Sequence, residues 1–394
     1  MKLYAQMGHG DGDKTAQGLR EGTIDGAILS PRDWRPEGIE NKINQLIANK
    51  NDADILLDPQ FYATFTAASE SSRTGRLSEW PYFAAARKSE LENPLEVEKV
   101  LQRTFDQMIP LPLTAIIAPN IYVTRSFDSR EGVIAKSFIR NSVHVYKSTG
   151  DRRPLFVTLA VSTETVLERE EFEEFLNDIT LLPEQPEGFY ILIGGRGAEA
   201  RTDIFHADII SRWMLLNYSL NINGLKVING YSDLLAPFLG AVGASAGASG
   251  WWTNLRLFSL GRFLPVPGKA RQPIIRYLSC RLLNRITFME LEALSAIMDD
   301  IANDLPHDAD YDPEPGRESE ALQSWEALCE ISRRLAIGDV EEALNACALE
   351  ITRAEAVYSE IAEAGIPLDT KSNGSHLESL REGIKDFKEK VGLI

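Results

Sequence analysis

Asp58 is the residue whose setting most suggests chemistry. It closes the apolar run Ile55-Leu56-Leu57 and precedes Pro59-Gln60-Phe61-Tyr62. A carboxylate leaving the carboxyl end of a strand can act as base, nucleophile or electrostatic stabiliser. The position also suits a helix cap, because aspartate accepts backbone N–H bonds and proline fits the first helical position. A second group is Gly194-Gly195-Arg196-Gly197-Ala198-Glu199. Glycines there let a planar ligand approach the backbone, and Glu199 could accept from ring N–H or amino donors; a plain strand-to-helix turn reads the same way. The third is Trp251 and Trp252, followed by Arg256, Phe258, Arg262 and Phe263. Rings beside cations suit extruded or single-stranded bases, although core packing is the commoner use of such residues.

Charge is unevenly distributed. The chain carries a net −17, with 9 basic and 25 acidic residues from Ile286 onward. Between Leu234 and Asn284 there is no carboxylate, while Arg256, Arg262, Lys269, Arg271, Arg276 and Arg281 occur, with Arg285 just after. Cations without anions can replace the counterions of a nucleic-acid backbone, so Arg256, Arg262, Lys269, Arg271 and Arg276 are candidate phosphate contacts. The alternative is that these arginines pair with the acidic C-terminal part.

Three cysteines, with no CxxC, and five scattered histidines give no metal-ligand spacing. Gly8-His9-Gly10-Asp11-Gly12-Asp13 lacks the glutamate of a calcium loop and reads as a flexible loop after the first strand. Neither a metal nor a cofactor is expected. The start MKLYAQMGHGDGDK lacks the apolar core of a signal peptide, and no window is apolar over a membrane's width. A cytoplasmic location without a membrane partner is expected.

Eight apolar or β-branched runs precede residue 256, beginning at Lys2, Asp25, Ala53, Leu113, Leu155, Gly188, Leu225 and Gly243. Helix-like segments between them, such as Gly38–Lys50, Leu95–Met108, Thr165–Ile179 and Thr202–Asn217, imply parallel strands with crossover helices. Eight such units in about 250 residues predict a (β/α)8 TIM-type barrel, with a doubly wound open sheet as competitor. Polar residues or glycines recurring at the strand ends favour the barrel, whose active site gathers there. After Arg285 helical periodicity predicts Phe288–Asn303, Glu318–Ile337, Val340–Ala364 and His376–Val391. The division expected is residues 1–270 as a catalytic barrel and 271–394 as an all-helical acidic C-terminal domain.

Three patches, ILLDPQFYATF (Ile55–Phe65), FYILIGGRGAEA (Phe189–Ala200) and VINGYSDLLAPFLGAVGASAGASGWWTNLR (Val227–Arg256), resemble the tRNA-guanine transglycosylase superfamily, including its DNA-acting relatives. The first is similar to that family's strand ending in an aspartate, the second to its glycine-glycine base-binding strand with a following glutamate, the third to its closing strands. The family's last-strand nucleophilic aspartate has no counterpart in Ala244–Ser249, its cysteine-rich zinc site is missing, and Asn120 stands where it places a base-reading aspartate. What the resemblance implies is therefore a DNA glycosylase that flips out a modified nucleobase and hydrolyses its N-glycosidic bond to leave an abasic site, in the setting of antiviral defence. Asp58 would be catalytic. Asn120, Gly194, Gly195 and Glu199 would bind the base, with Phe61, Tyr62, Trp251 and Trp252 as stacking partners. The partner expected is DNA, with RNA as the other nucleic acid. A base-exchanging transglycosylase and a non-catalytic binding barrel are the alternatives.

Overall fold

Strands that are apolar along their whole length must be covered on both faces, and that condition builds the centre of this molecule. A computed structural model describes the chain except for residues 68, 70–71, 196–204, 266–272, 299, 312–314 and 394. Eight parallel strands run in the order β3 (Asp54–Leu57), β2 (Gly26–Leu29), β1 (Lys2–Gln6), β9 (Ala246–Ser249), β8 (Lys226–Asn229), β7 (Gly188–Gly195), β6 (Leu155–Ser162) and β4 (Ile116–Ala118). All eight residues of β6 are buried. The sheet's two ends meet at Thr114, whose N–H donates to Ile55 O at 2.9 Å while its Oγ1 accepts from Ile55 N at 2.9 Å. This seam brings the sheet close to a full ring, the (β/α)8 barrel that the eight apolar runs predict. Two short strands extend it: β5 (Tyr122–Val123) continues along β6, and β10 (Phe258–Ser259) lies beside the end of β7.

The crossover helices follow their apolar faces. In α3 (Pro94–Met108) the buried positions Val97, Val100, Leu101, Thr104, Phe105 and Met108 repeat at helical spacing, after an Asn93 cap and a proline at the first position. The other crossovers are α1 (Lys14–Glu21), α2 (Pro36–Asn49), α4 (Arg130–Ser148), α5 (Arg169–Thr180) and α6 (Ala207–Ile222). The segment expected as a single helix over Thr165–Ile179 is broken at Glu168, and the short helix Thr163–Leu167 is capped by Ser162.

The eighth position of the helical ring is filled from the C-terminal part. After α7 (Phe288–Ser295) come α8 (Arg317–Leu335), α9 (Val340–Glu363) and α10 (Ser375–Val391). Helix α8 packs against α1, β1 and the short helix Ala236–Gly240, and its Trp325 donates from Nε1 to Ser249 O at 3.0 Å. Trp325, Leu328 and Ile331 belong to the barrel's own apolar core, and α10 packs along α6. Residues 271–394 are also not all helical: β11 (Arg276–Ser279) and β12 (Asn284–Thr287) form an antiparallel hairpin with a small core of its own. Among the described residues no helix is long and apolar enough to cross a membrane.

Candidate active site at the barrel mouth

The polar strand ends converge as the barrel demands, and Asp58 lies among them, 0% exposed. Its two oxygens have different partners. Oδ1 accepts from Gln60 N at 3.0 Å, which turns the chain locally, with Gln60 at φ 54°. The helical turn that follows, Phe61–Ala63, begins after Gln60, so Asp58 is not its N-cap. Oδ2 points into the barrel, where the Tyr62 hydroxyl donates at 2.8 Å and the Tyr190 hydroxyl, from inside β7, at 3.3 Å. Burial pushes the Asp58 carboxyl up to about 6, although Tyr62, the Gln60 amide and the charge of Arg262 all pull it down.

Arg262 reaches this cluster from the segment that follows the last barrel strand. Its Nη1 donates to the Tyr231 hydroxyl at 2.6 Å and its Nη2 lies 3.4 Å from Asp33 Oδ2. Two buried donors in the cluster, Gln6 Nε2 and Arg262 Nε, have no hydrogen-bond partner among the described residues. Tyr231 and Asp233, just beyond β8, both adopt left-handed backbone, at φ 54° and 43°. Strained residues are held only where the surroundings over-determine them, and such places are often functional.

Above Asp58 the mouth is closed by the chain itself. Phe258 stands among Tyr62, Tyr122 and Tyr231, with ring centroids 5.1, 5.8 and 5.6 Å away, and the Tyr122 hydroxyl donates to Gly194 O at 2.6 Å. The space over Gly194, expected to receive a base, holds β10: a Cβ on Gly194 would lie 2.0 Å from Phe258 O. Glycine is required there by a second strand's backbone. Gly194→Ala should therefore detach β10 and destabilise the fold by about 1–3 kcal/mol, as overpacking does. Thermal unfolding and limited proteolysis across Phe258–Phe263 measure this; an unchanged midpoint and cleavage pattern would contradict the pairing.

Of the residues singled out in the sequence, Asp58, Tyr62, Gly194 and Arg262 come together at the mouth, and β7 carries Gly195 alongside Ser259. Phe258 and Phe263 join them, each packed against the Tyr62 ring, and the remaining described residues do not. Asn120 ties the end of β4 to β6 and to α4: Nδ2 donates to Thr158 O at 2.9 Å and Ala135 O at 3.4 Å, and Oδ1 accepts from Ile121 N at 2.8 Å. Phe61 packs in the core against Phe83 and Phe138. Trp251 packs on Trp325, and both Trp251 and Trp252 donate from Nε1 to His9 O. Glu199, Lys269 and Arg271 lie outside the described residues. Gln6, Tyr190 and Tyr231 were not singled out as site residues. Gln6 and Tyr231 share one legible signal, a polar side chain at or just past a strand end.

The phosphate-facing role expected of the cationic run is corrected for its described arginines. Arg256 pairs with Glu320 at 3.2 Å, Arg276 with Asp369 at 3.0 Å and Arg262 with Asp33. Arg281 pairs with Asp300, and Arg285 forks onto Asp233 at 2.5 and 2.9 Å. Carboxylates from the acidic C-terminal part and the mouth loops meet a stretch that has none of its own, so these arginines are neutralised locally. Among the described residues no group of histidine, cysteine, aspartate and glutamate side chains could hold a metal ion.

No protein-family model and no curated protein matches the chain. Among solved structures it is similar to dihydrodipicolinate synthase from Oceanobacillus iheyensis, 12% identical, over 92% of this chain and 97% of that one, with a TM-score of 0.26. At that score the likeness carries no weight for function, and the barrel stands on its own strand order.

Proposed function

We propose that the chain is an enzyme that hydrolyses the N-glycosidic bond of a modified nucleobase in DNA, with Asp58 as its catalytic carboxylate. The observation that carries this reading is the setting of Asp58: a buried carboxylate at a barrel strand end, raised to about 6 and facing tyrosine hydroxyls and a guanidinium. Cleavage of the bond places positive charge on the sugar and leaves the electron pair with the departing base. An ionised Asp58 stabilises the first and takes a proton from the attacking water as the C–O bond forms; the base leaves with the electron pair of the broken C–N bond and takes a proton from solvent, to which Asp58 then returns its own. Arg262 supplies a fixed positive charge toward the developing negative charge of the base. No aspartate stands at the end of the last strand to hold the sugar covalently, which favours water over a second base as acceptor. A nucleotide must leave the duplex to reach this depth, and Phe258 must leave its place among the three tyrosines to admit it.

Because the working form of Asp58 is ionised, kcat/KM should rise with pH through an inflection at about 6 and level off above it. A flat profile between pH 5 and 8 would remove Asp58 from the rate-determining chemistry. Adding a free deazapurine base to the reaction separates hydrolysis from exchange: a hydrolase leaves it unincorporated.

A further inference from the structure

With Arg256, Arg262 and Arg276 engaged by carboxylates, a strand entering the mouth must be held by other cations. The long loop from β3 to α3 returns over the Asp58 face. There Thr64 Oγ1 donates to Ala84 O at 2.7 Å and accepts from Ala86 N at 3.0 Å, which fixes Arg87 and Lys88 to the loop that leaves Asp58. Lys88 Nζ stands 5.6 Å from the centroid of the Phe65 ring. Together with Thr124, Arg125, Ser129 and Glu131 it lines an open cavity of ≈490 Å³ at the N-terminal end of α4, on the strand-end side of the barrel.

The charges in this cavity do not balance. Glu131 is paired with Lys88 and accepts from Thr124 Oγ1 at 3.4 Å. Arg125 is exposed, and no carboxylate among the described residues pairs with it. Two cations and one carboxylate leave one positive charge uncompensated, the charge that a phosphodiester's single negative charge matches. A guanidinium offers paired donors to two phosphate oxygens, and an ammonium adds a third. We infer that this cavity holds one backbone phosphate of the nucleic-acid strand whose base enters the barrel, with Arg125 and Lys88 as its donors. The inference rests on the nucleic-acid reading of Asp58 and extends it to the strand beside the excised base.

The test uses the full chain carrying Asp58→Asn, so that no turnover intervenes, and a fluorescent single-stranded DNA oligonucleotide titrated at several salt concentrations. Adding Arg125→Gln should weaken binding about 3–10-fold at low salt and reduce the slope of log K against log salt by about 0.7, the value of one phosphate contact on a single strand. Arg152→Gln, an equal charge change before β6 at the opposite end of the barrel, should leave both unchanged. Inorganic phosphate should compete with the oligonucleotide in the parent and not in the Arg125→Gln form. An unchanged slope in Arg125→Gln, or an equal loss in Arg152→Gln, overturns the cavity while the Asp58 chemistry stands. Phosphate binding through Arg125 with no oligonucleotide bound by any form makes free phosphate the ligand, and overturns both this inference and the nucleic-acid reading beneath it.

Discussion

Asp58→Asn is expected to abolish turnover and, at neutral pH, to make the folded chain more stable. Loss of a positioned acid–base group typically costs about 10²–10⁴ in rate. The stability change has the opposite sign because the carboxyl is raised from 3.8 to about 6 on folding. A raised acid binds its proton more tightly in the folded state, so its contribution to stability is present below pH 3.8 and is lost as pH climbs through 6. That difference amounts to about 3 kcal/mol by pH 7, an upper bound for the variant because the new amide hydrogens must find acceptors. The near-isosteric asparagine keeps one oxygen, for Gln60 N, and turns its amide nitrogen to the Tyr62 hydroxyl, which can accept as well as donate. The gap in unfolding free energy between the two proteins should be near zero at pH 4 and open toward pH 7, read by denaturant unfolding at each pH. A variant less stable than the parent at pH 7, or one within a fewfold of parental activity, would contradict the role given to this carboxylate.

Arg285→Ala should be the most damaging single change outside the mouth. Arg285 lies on β12 and forks onto Asp233, whose Oδ1 also accepts from Ser249 Oγ at 2.5 Å. Burial pushes the Asp233 carboxyl up, and Arg285 and then Arg256 outweigh it, so it sits below the usual carboxylate range. Removing the guanidinium leaves that charge buried without its main partner, which costs about 3–5 kcal/mol. The pair joins the hairpin to the loop after β8 that also carries Tyr231, so the loss should reach the mouth as a fall in activity at temperatures where the fold persists. Removing both charges in Arg285→Met with Asp233→Ala should restore a large part of the stability, since an isolated buried charge is worse than none. A single variant within about 0.5 kcal/mol of the parent would show that the hairpin is held by its other contacts.

The barrel was legible because its strands are buried on both faces and so are written as continuous apolar runs, each ending in a polar residue or glycine. Asp58 was legible by the same rule. What was not legible depends on distance along the chain. Arg262 looks like one cation in a basic run, and only packing brings it to Tyr231, Asp33 and the field of Asp58. Gly194-Gly195 signals a close approach in sequence, but sequence cannot say that the approaching group is Phe258-Ser259 of the same chain. The hairpin was missed because Arg276 and Arg285 interrupt its apolar pattern, their partners Asp369 and Asp233 lying far off in sequence. The helix expected over Phe288–Asn303 stops at Ser295 because the residues beyond serve that hairpin. Asn303 accepts from Cys280 N at 2.7 Å and donates to Leu278 O at 2.8 Å.

The most direct test of the proposed activity is to incubate the protein with DNAs carrying different base modifications and to count released base and abasic sites in the same reaction. The expected result is free modified base and abasic sites in equal numbers from at least one of these DNAs, with neither product from the Asp58→Asn protein. Intact DNA from every substrate, or base release that persists without Asp58, would contradict an N-glycosidic hydrolase centred on this residue.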